Sequence, residues 1–180
     1  MGASAKDVAL HHHERPDGRG YPRGLRADRL SRMARMGAVC DVYDAITSNR
    51  PYKSGWDPLP ALAAMREWAQ DGQFDPAVVG AFARMMGPWP IGSLVRLRSQ
   101  RLAVVNAPRA GRTSVTAFYC TASQRAFAPE VMLLANGEAA DAIVGHESNA
   151  QWRFKDLHSP WAGDVVDVVR AAQATACLFT

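Results

Sequence analysis

The 180-residue sequence predicts an α+β protein, in which an all-helical segment over residues 1–88 is followed by a small β-rich extension over residues 89–180. Apolar residues recur at helical spacing before Gly87-Pro88-Trp89-Pro90, whereas short β-prone runs separated by turn residues follow it. Hydrophobic residues make up 48% of the chain, which is enough for a globular core. We therefore expect two structurally distinct parts, the second built on an antiparallel sheet.

The first segment is predicted to contain four helices. Asp57-Pro58 and Asp75-Pro76 each place an N-cap candidate before a proline at the first helical position. The long second helix is predicted from an apolar stripe at 3.6-residue spacing, formed by Leu30, Met33, Ala34, Gly37 and Ala38. The predicted helices cover Ala5–Glu14, roughly Asp28–Ser48, Asp57 to about Gln70, and Asp75 to about Met86.

The second segment is predicted to contain short strands. They are separated by turn-type residues, which favours a small, twisted antiparallel sheet or partial barrel. The sequence after Gly163 favours a terminal helix over Asp164–Ala174, and residues 135–163 receive no assignment. The predicted strands are Ser93–Arg98, Arg101–Asn106, Thr113–Tyr119 and, more weakly patterned, Glu130–Leu134.

Composition excludes several classes of protein. No run of about 18 apolar residues is present, so no membrane span is expected. The N-terminus lacks the basic-then-apolar order of a secretory signal, and three widely spaced cysteines indicate free thiols in a reducing compartment. We therefore expect a cytoplasmic protein. A net charge of +4 does not by itself indicate nucleic acid, and no nucleic-acid polymer is expected as a partner.

Two carboxylates in the long helix, Asp41 and Asp44, are three residues apart and therefore share a face. Because the apolar stripe of this helix runs toward them, we expect that face to be buried. A buried carboxylate is costly unless a cation or hydrogen-bond donors compensate it. Two interpretations stay open: the pair helps to bind a metal ion, or it accepts hydrogen bonds from neighbouring backbone or an arginine.

Three adjacent histidines, His11–His13, precede a glutamate and a turn-rich loop. Adjacent residues of a helix diverge by about 100°, so His12 and His13 are not expected to bind one ion together. They could serve two neighbouring ions, or one could bind metal while the other contacts substrate. Imidazole with carboxylate favours iron, manganese or zinc over calcium. His11 is expected to be an ordinary structural residue.

A basic turn follows the long helix at Thr47–Lys53. Arg50 and Lys53 flank Pro51-Tyr52, which favours a local turn. A guanidinium and an ammonium at this spacing could hold phosphate groups. The alternative is a solvated helix end, where basic side chains are favoured by the helix dipole.

Together, these segments match the motifs of a known protein family. HHERPDGRGYPRGL, followed by CDVYDAITSNRPYK, closely resembles the HD-GYP family of bacterial cyclic di-GMP phosphodiesterases, and the resemblance covers roughly Ala5–Met86. It implies an HD-type helical domain and a centre of two or three divalent ions, iron or manganese, in a complete domain. The implied roles are metal binding for His12, His13 and Asp41, a place in the catalytic centre for Asp44, the substrate side for Tyr21 and Pro22, and phosphate contacts for Arg50 and Lys53.

The resemblance also implies residues that this sequence lacks. The family has a His-Asp pair, a lysine and a further histidine before the His-His-Glu segment, and no His-Asp dipeptide occurs here. We therefore expect a C-terminal part of the domain with an incomplete metal centre and no hydrolysis on its own.

Two functions stay open for this chain. One is metal-dependent hydrolysis of cyclic di-GMP to pGpG and GMP when the domain is complete. The other is a non-catalytic interaction module that docks on a diguanylate cyclase (GGDEF) domain or a cyclic di-GMP receptor. Self-association as a homodimer would be one way to cover an exposed apolar face.

Overall fold

The computed structural model describes residues 2–50, 52–134 and 141–152, and the chain divides into two compact units, Met1–Pro88 and Trp89–Thr180. The first unit is helical and the second contains a five-stranded antiparallel sheet, which confirms the α+β prediction. The predicted terminal helix Asp164–Ala174 lies outside the described residues. Within the described ranges, no helix is long and apolar enough to cross a membrane.

The helical unit contains four α-helices and one 3-10 turn. Ser31 caps the second helix by accepting a hydrogen bond from the Ala34 N–H at 3.0 Å, so that helix begins after the predicted Asp28. Asp75 caps the fourth helix through the N–H groups of Ala77 and Val78. The elements are α1 Ala3–His11, the 3-10 turn Ala27–Arg29, α2 Arg32–Thr47, α3 Pro58–Gln70 and α4 Pro76–Met86.

The core of this unit lies between α2, α3 and α4. The buried residues of α2 lead toward Val42 and Ile46, which pack against the cluster, whereas Met33 is exposed. Asp41 and Asp44 are both exposed, so the prediction that they share the buried face is wrong. The side of α2 that packs against α3 and α4 therefore differs from the side that the first half of the predicted apolar stripe indicates. The fully buried members of the cluster are Ala38, Val39, Met65, Ala69, Phe74 and Val79.

Arg35 joins three parts of the helical unit. Its guanidinium forms an ion pair with Asp75 at 2.7 Å. The same side chain donates hydrogen bonds to the carbonyl oxygens of Ala27 and Leu30, in and directly after the 3-10 turn, at 2.7 and 2.9 Å. Because Arg35 lies in the first turn of α2, one side chain joins the 3-10 turn, the start of α2 and the N-terminus of α4.

The second unit contains a sheet with the strand order β4-β3-β2-β1-β5, all antiparallel. The fourth strand begins earlier than predicted, and the fifth was missed because it is short and contains Gly145. That strand pairs with β1, so that Val95 lies opposite His146. The elements are β1 Leu94–Leu97, β2 Arg101–Arg109, β3 Arg112–Cys120, β4 Arg125–Leu133, β5 Ile143–His146 and a short helix, Asn149–Trp152.

The central strands of this sheet are buried on both faces. In β2, Leu102 and Val104 contribute to one cluster, whereas Ala103 and Val105 contribute to the other. Because side chains alternate along a strand, this arrangement requires a nearly continuous apolar run, and β2 has one. Trp152 packs against the first cluster and its indole N–H donates to Glu147 at 3.0 Å.

Replacement of Asp75 tests the Arg35 junction. The hydrogen bond from Arg35, followed by those from the Ala77 and Val78 amides, lowers the pKa of Asp75 below its ordinary value of 3.8. Because the folded-state pKa is lower, this stabilisation is present above pH 3.8 and is lost as the pH falls through the folded-state value. Asp75→Ala should reduce the free energy of unfolding by about 2 kcal/mol at pH 7.

Chemical denaturation at pH 7 and at low pH measures this effect, with exposed Glu67→Ala on α3 as the control. The difference between Asp75→Ala and wild type should shrink in acid. A difference that stays constant with pH would contradict an ionised Asp75 at this junction.

Candidate functional site

The site begins where α1 and α2 approach closely at Gly37. A Cβ atom at this position would lie 2.7 Å from Cγ1 of Val8 and 3.5 Å from Cβ of His12. The absence of a side chain therefore allows the last turn of α1 to lie directly against α2. Asp41 follows Gly37 by four residues, so it projects on the same side of α2, one turn further along.

The end of α1 fixes the orientation of His12. Its Nδ1 atom lies 2.8 Å from the carbonyl oxygen of Val8. A carbonyl can only accept, so Nδ1 carries the proton and Nε2 keeps a free lone pair. Metal-binding histidines commonly donate their second ring N–H to a carbonyl or carboxylate in this way. His12 is therefore held in the tautomer that can bind a metal through Nε2.

Three of the predicted site residues form a cluster. One ligand atom each from His12, His13 and Asp41 lies within 4.8 Å of the others, and Nδ1 of His13 is 3.9 Å from a carboxylate oxygen of Asp41. The ring centroids of the two histidines are only 4.0 Å apart. The expectation that these rings diverge is wrong, because α1 ends at His11 and His13 lies beyond the helix.

The donor set fits a divalent transition metal. Two imidazoles and one carboxylate suit iron, manganese or zinc. Two ligand atoms that each lie about 2.1 Å from a shared ion are at most about 4.2 Å apart. The ligand atoms of this cluster would therefore move slightly closer together to bind one ion, or would bind two neighbouring ions. The side chains of His13 and Asp41 are 42% and 46% exposed, which leaves room for further ligands.

Tyr21 contacts one member of this cluster, His13. Its ring stacks on the imidazole of His13, with centroids 4.7 Å apart and planes tilted by 29°. The Tyr21 N–H also donates to the His13 carbonyl oxygen at 3.2 Å. The Tyr21 side chain is 61% exposed, and Pro22 beside it is exposed as well. The loop therefore presents an aromatic surface at the edge of the three ligands.

Backbone hydrogen bonds hold the basic turn next to the end of α2. Arg50 and Lys53 exchange backbone hydrogen bonds at 2.9 and 3.0 Å, which places them directly opposite each other. The chain then returns to the helix, where the Trp56 N–H donates to the Ile46 carbonyl at 2.8 Å. A Cβ atom at Gly55 would overlap the carbonyl of Thr47, so this return requires glycine.

The two basic side chains have different surroundings. The Tyr52 hydroxyl raises the pKa of Arg50, and the charges of Asp44 and Asp41 act in the same direction. Arg50 therefore lies within the electrostatic range of the cluster. The Lys53 ammonium lies 5.9 Å from the centre of the Trp56 ring instead.

Asp44 lies outside the group of three. It is exposed, and its carboxylate accepts a hydrogen bond from the Ser48 hydroxyl at 3.2 Å. The structure thus places Asp44 on the same helix as Asp41 but does not bring it among the close ligand atoms.

His11 is occupied by a contact within its own helix. Its Nδ1 atom lies 2.9 Å from a carboxylate oxygen of Asp7, one turn earlier. Asp7 in turn accepts a hydrogen bond from the Ser31 hydroxyl. That hydroxyl, followed by His11, lowers the pKa of Asp7. His11 therefore contacts Asp7, which connects α1 to the cap of α2, instead of joining the ligand group.

Two residues beside the site received no role from the sequence. Glu14 is buried and binds the backbone of the following loop, and Trp56 covers Lys53. For Glu14, the only sequence signal was its place directly after the two histidines, which does not distinguish a ligand from a structural acid. For Trp56, the sequence signal was the presence of an aromatic residue three positions after Lys53 in a turn.

Comparisons with known proteins identify a matching family and several similar sequences. Residues 3–78 match the HD domain family. Over 167 residues the chain is 47% identical to a cyclic di-GMP phosphodiesterase of Pseudomonas aeruginosa, covering 91% of this chain and 40% of that protein. It is 50% identical over 78 residues to a cyclic di-GMP phosphodiesterase response regulator of Xanthomonas campestris, covering 43% of this chain and 20% of that protein.

A third relative carries a different substrate in its name. A 3'3'-cGAMP-specific phosphodiesterase of Vibrio cholerae is 45% identical over 56 residues, which is 31% of this chain and 12% of that protein. The chain spans less than half the length of each of these three relatives. Because the Pseudomonas match covers 91% of the chain, it includes most of the β extension as well. The comparisons confirm the family resemblance, and this family implies divalent metal binding.

Removal of one ligand should weaken metal binding. We expect His13→Ala and Asp41→Asn each to lower the affinity for Mn²⁺ by at least about tenfold, since even changes to outer-shell partners cost about 10–100-fold. Titration followed by the electron paramagnetic resonance signal of free Mn²⁺ gives the affinity. Asp28→Asn, an exposed acid on the 3-10 turn, is the control and should bind like wild type. Equal affinity in all four proteins would contradict a metal site at this cluster.

Proposed function

We propose that this chain, which belongs to the HD domain family in its HD-GYP form, supplies part of a metal-dependent phosphodiesterase centre that acts on cyclic di-GMP. The observation that carries the proposal is the convergence of His12, His13 and Asp41, with the Tyr21 ring stacked on His13. Donors for a divalent ion and an exposed aromatic surface for a nucleotide are thereby placed side by side.

The chemistry proposed for this centre is hydrolysis of one phosphodiester bond. His12, His13 and Asp41 would hold divalent iron or manganese, which would supply Lewis-acid polarisation of the phosphate and an activated water. In the balanced reaction, a water oxygen would bond to phosphorus, the bond from phosphorus to the 3' oxygen would break, and a proton of the water would end on that 3' oxygen. The ring opens to linear pGpG, and a second hydrolysis would give GMP.

The chain's own residues would then bind and orient the substrate. Arg50 can donate two parallel hydrogen bonds to a phosphate, and the charges of Asp44 and Asp41 act on its guanidinium. Lys53 adds a positive charge on the same turn once its ammonium leaves the Trp56 face. Tyr21 and Pro22 would contact a base or ribose, and Asp44 would orient a proton-bearing group near the reacting phosphate.

Three ligands do not complete the coordination of even one six-coordinate ion. Further ligands would come from outside the described residues, either from another part of a longer protein or from a second copy in a homodimer. The exposed side chains of Met33 and Met36 on α2, and Leu10 on α1, offer an apolar surface for such a contact.

A second candidate function is binding without hydrolysis. The cluster of His12, His13 and Asp41 also favours this second function, because within the described residues it contains three ligand groups and is open to solvent. The chain would then hold cyclic di-GMP on the Tyr21 and Arg50 side and dock on a diguanylate cyclase (GGDEF) domain or a cyclic di-GMP receptor. Cytoplasmic location is proposed for either function, since Cys40 and Cys120 are free thiols.

Incubation with cyclic di-GMP tests the proposed activity. The chain is loaded anaerobically with Fe²⁺ or with Mn²⁺, and the products are separated by chromatography, with 3'3'-cGAMP as the competing substrate. We expect pGpG to form only when the missing ligands are supplied by a second copy or by the longer protein, and His13→Ala to abolish it. Turnover that is unchanged in His13→Ala would contradict the proposed centre.

Arg50 should contribute to binding whether or not hydrolysis follows. A hydrogen bond to a charged group contributes about 1.5–3 kcal/mol, so Arg50→Ala should weaken cyclic di-GMP binding by about 10–100-fold. Calorimetry in the presence of Mn²⁺ measures this, and Arg66→Ala, an exposed arginine on α3, is the matched control. Equal affinities for the two variants would exclude Arg50 from the binding surface.

A further inference from the structure

Glu14 is a buried acid whose partners are backbone groups. It is only 2% exposed. One carboxylate oxygen accepts the Arg23 N–H at 2.6 Å, and the other accepts the Leu25 N–H at 2.9 Å. Within residues 2–50, 52–134 and 141–152, no basic side chain forms an ion pair with it. A carboxylate in this position depends on its two N–H donors for compensation.

The geometry of these two bonds requires a carboxylate. Each oxygen faces a separate donor, and both donors are on the same loop. A glutamine of the same shape would turn its NH₂ group toward one of the two N–H groups, so that one donor is opposed and left unsatisfied. Glu14 is therefore not interchangeable with a neutral amide, although the two side chains are equal in size.

The same loop also touches the backbone of Glu14. A Cβ atom at Gly20 would overlap the backbone atoms of Glu14 and Arg15, so glycine is required for this contact. The loop is thus fixed to the end of α1 at Gly20 and again at Arg23 and Leu25. Tyr21 lies between these fixed points.

We infer that Glu14 is a positioning residue: its carboxylate holds the Gly20–Leu25 loop so that the Tyr21 ring stays stacked on the imidazole of His13. The stack orients the His13 ring, whose Nδ1 faces Asp41. The consequence for substrate rests on the proposed function, whereas the hold on the loop and on the His13 ring is a property of the chain itself.

Amide hydrogen exchange and histidine ring resonances test the inference without substrate or metal. In Glu14→Gln, whichever of the Arg23 and Leu25 amides faces the new NH₂ group should exchange at least about tenfold faster, because that donor is left without an acceptor. The ring-current shift that the Tyr21 ring exerts on His13 should be lost, as we also expect for Tyr21→Leu. Glu67→Gln, the same change at an exposed site on α3, should leave both readouts as in wild type.

A double-variant cycle tests the consequence for ligand binding. Glu14→Gln and Tyr21→Leu should each weaken cyclic di-GMP binding in the presence of Mn²⁺, and the double variant should bind like Tyr21→Leu alone, because Glu14 acts through Tyr21. Additive losses would contradict action through Tyr21. Absence of binding by wild type would contradict the proposed function, while the exchange and resonance measurements would still decide the role of Glu14.

Unchanged amide exchange and an unchanged His13 resonance in Glu14→Gln would overturn the inference. If Glu14→Gln does not fold, the amide exchange and His13 resonance of the wild-type protein test the inference. Protected Arg23 and Leu25 amides, with a His13 shift that Tyr21→Leu abolishes, support the inference. Rapid exchange of both amides in folded wild type overturns it.

Discussion

Helices α1 and α2 can approach closely because Gly37 has no side chain at their contact. Val8 and His12 occupy the space that a Cβ atom would need. This approach brings the last turn of α1 beside the segment of α2 that carries Asp41. The ligand group of His12, His13 and Asp41 depends on it, because His12 and His13 directly follow α1 whereas Asp41 lies on α2.

The loop after α1 and the turn after α2 add an aromatic ring and basic side chains to the proposed site. Bonds to Glu14 and the close approach at Gly20 hold the loop, and its Tyr21 ring stacks on His13. Gly55 and the Trp56 backbone return the turn to α2, and the charge of Asp41 acts on Arg50. The proposed metal donors, the exposed Tyr21 ring and the Arg50 guanidinium are therefore held on short segments next to helix ends. This arrangement suits a ligand that is both anionic and aromatic, as a cyclic dinucleotide is.

Local sequence signals predicted the helices well but not the exposure of the carboxylates. Asp57 and Asp75 occupy the N-cap positions of α3 and α4 as predicted, and the side chain of Asp75 accepts the cap hydrogen bonds, because helix starts depend on residues close in sequence. The exposure of Asp41 depends on α3 and α4, which bury Val42 and Ile46 instead. The end of α1 at His11 is accompanied by hydrogen bonds that the backbone amides nine and eleven positions after Glu14 donate to its carboxylate. Periodicity does not reveal such contacts, and strand β5 was missed because it is short and contains Gly145.

The most direct test of this account is the Mn²⁺ affinity of Gly37→Ala. Alanine favours the helix by about 1 kcal/mol relative to glycine, so α2 itself should not suffer. The added Cβ would nevertheless push Val8 and α1 away, and we expect Mn²⁺ binding to weaken by at least about tenfold. Val8→Ala combined with Gly37→Ala removes the clash and should restore the affinity. Wild-type affinity in Gly37→Ala would contradict the claim that close helix packing assembles the metal site.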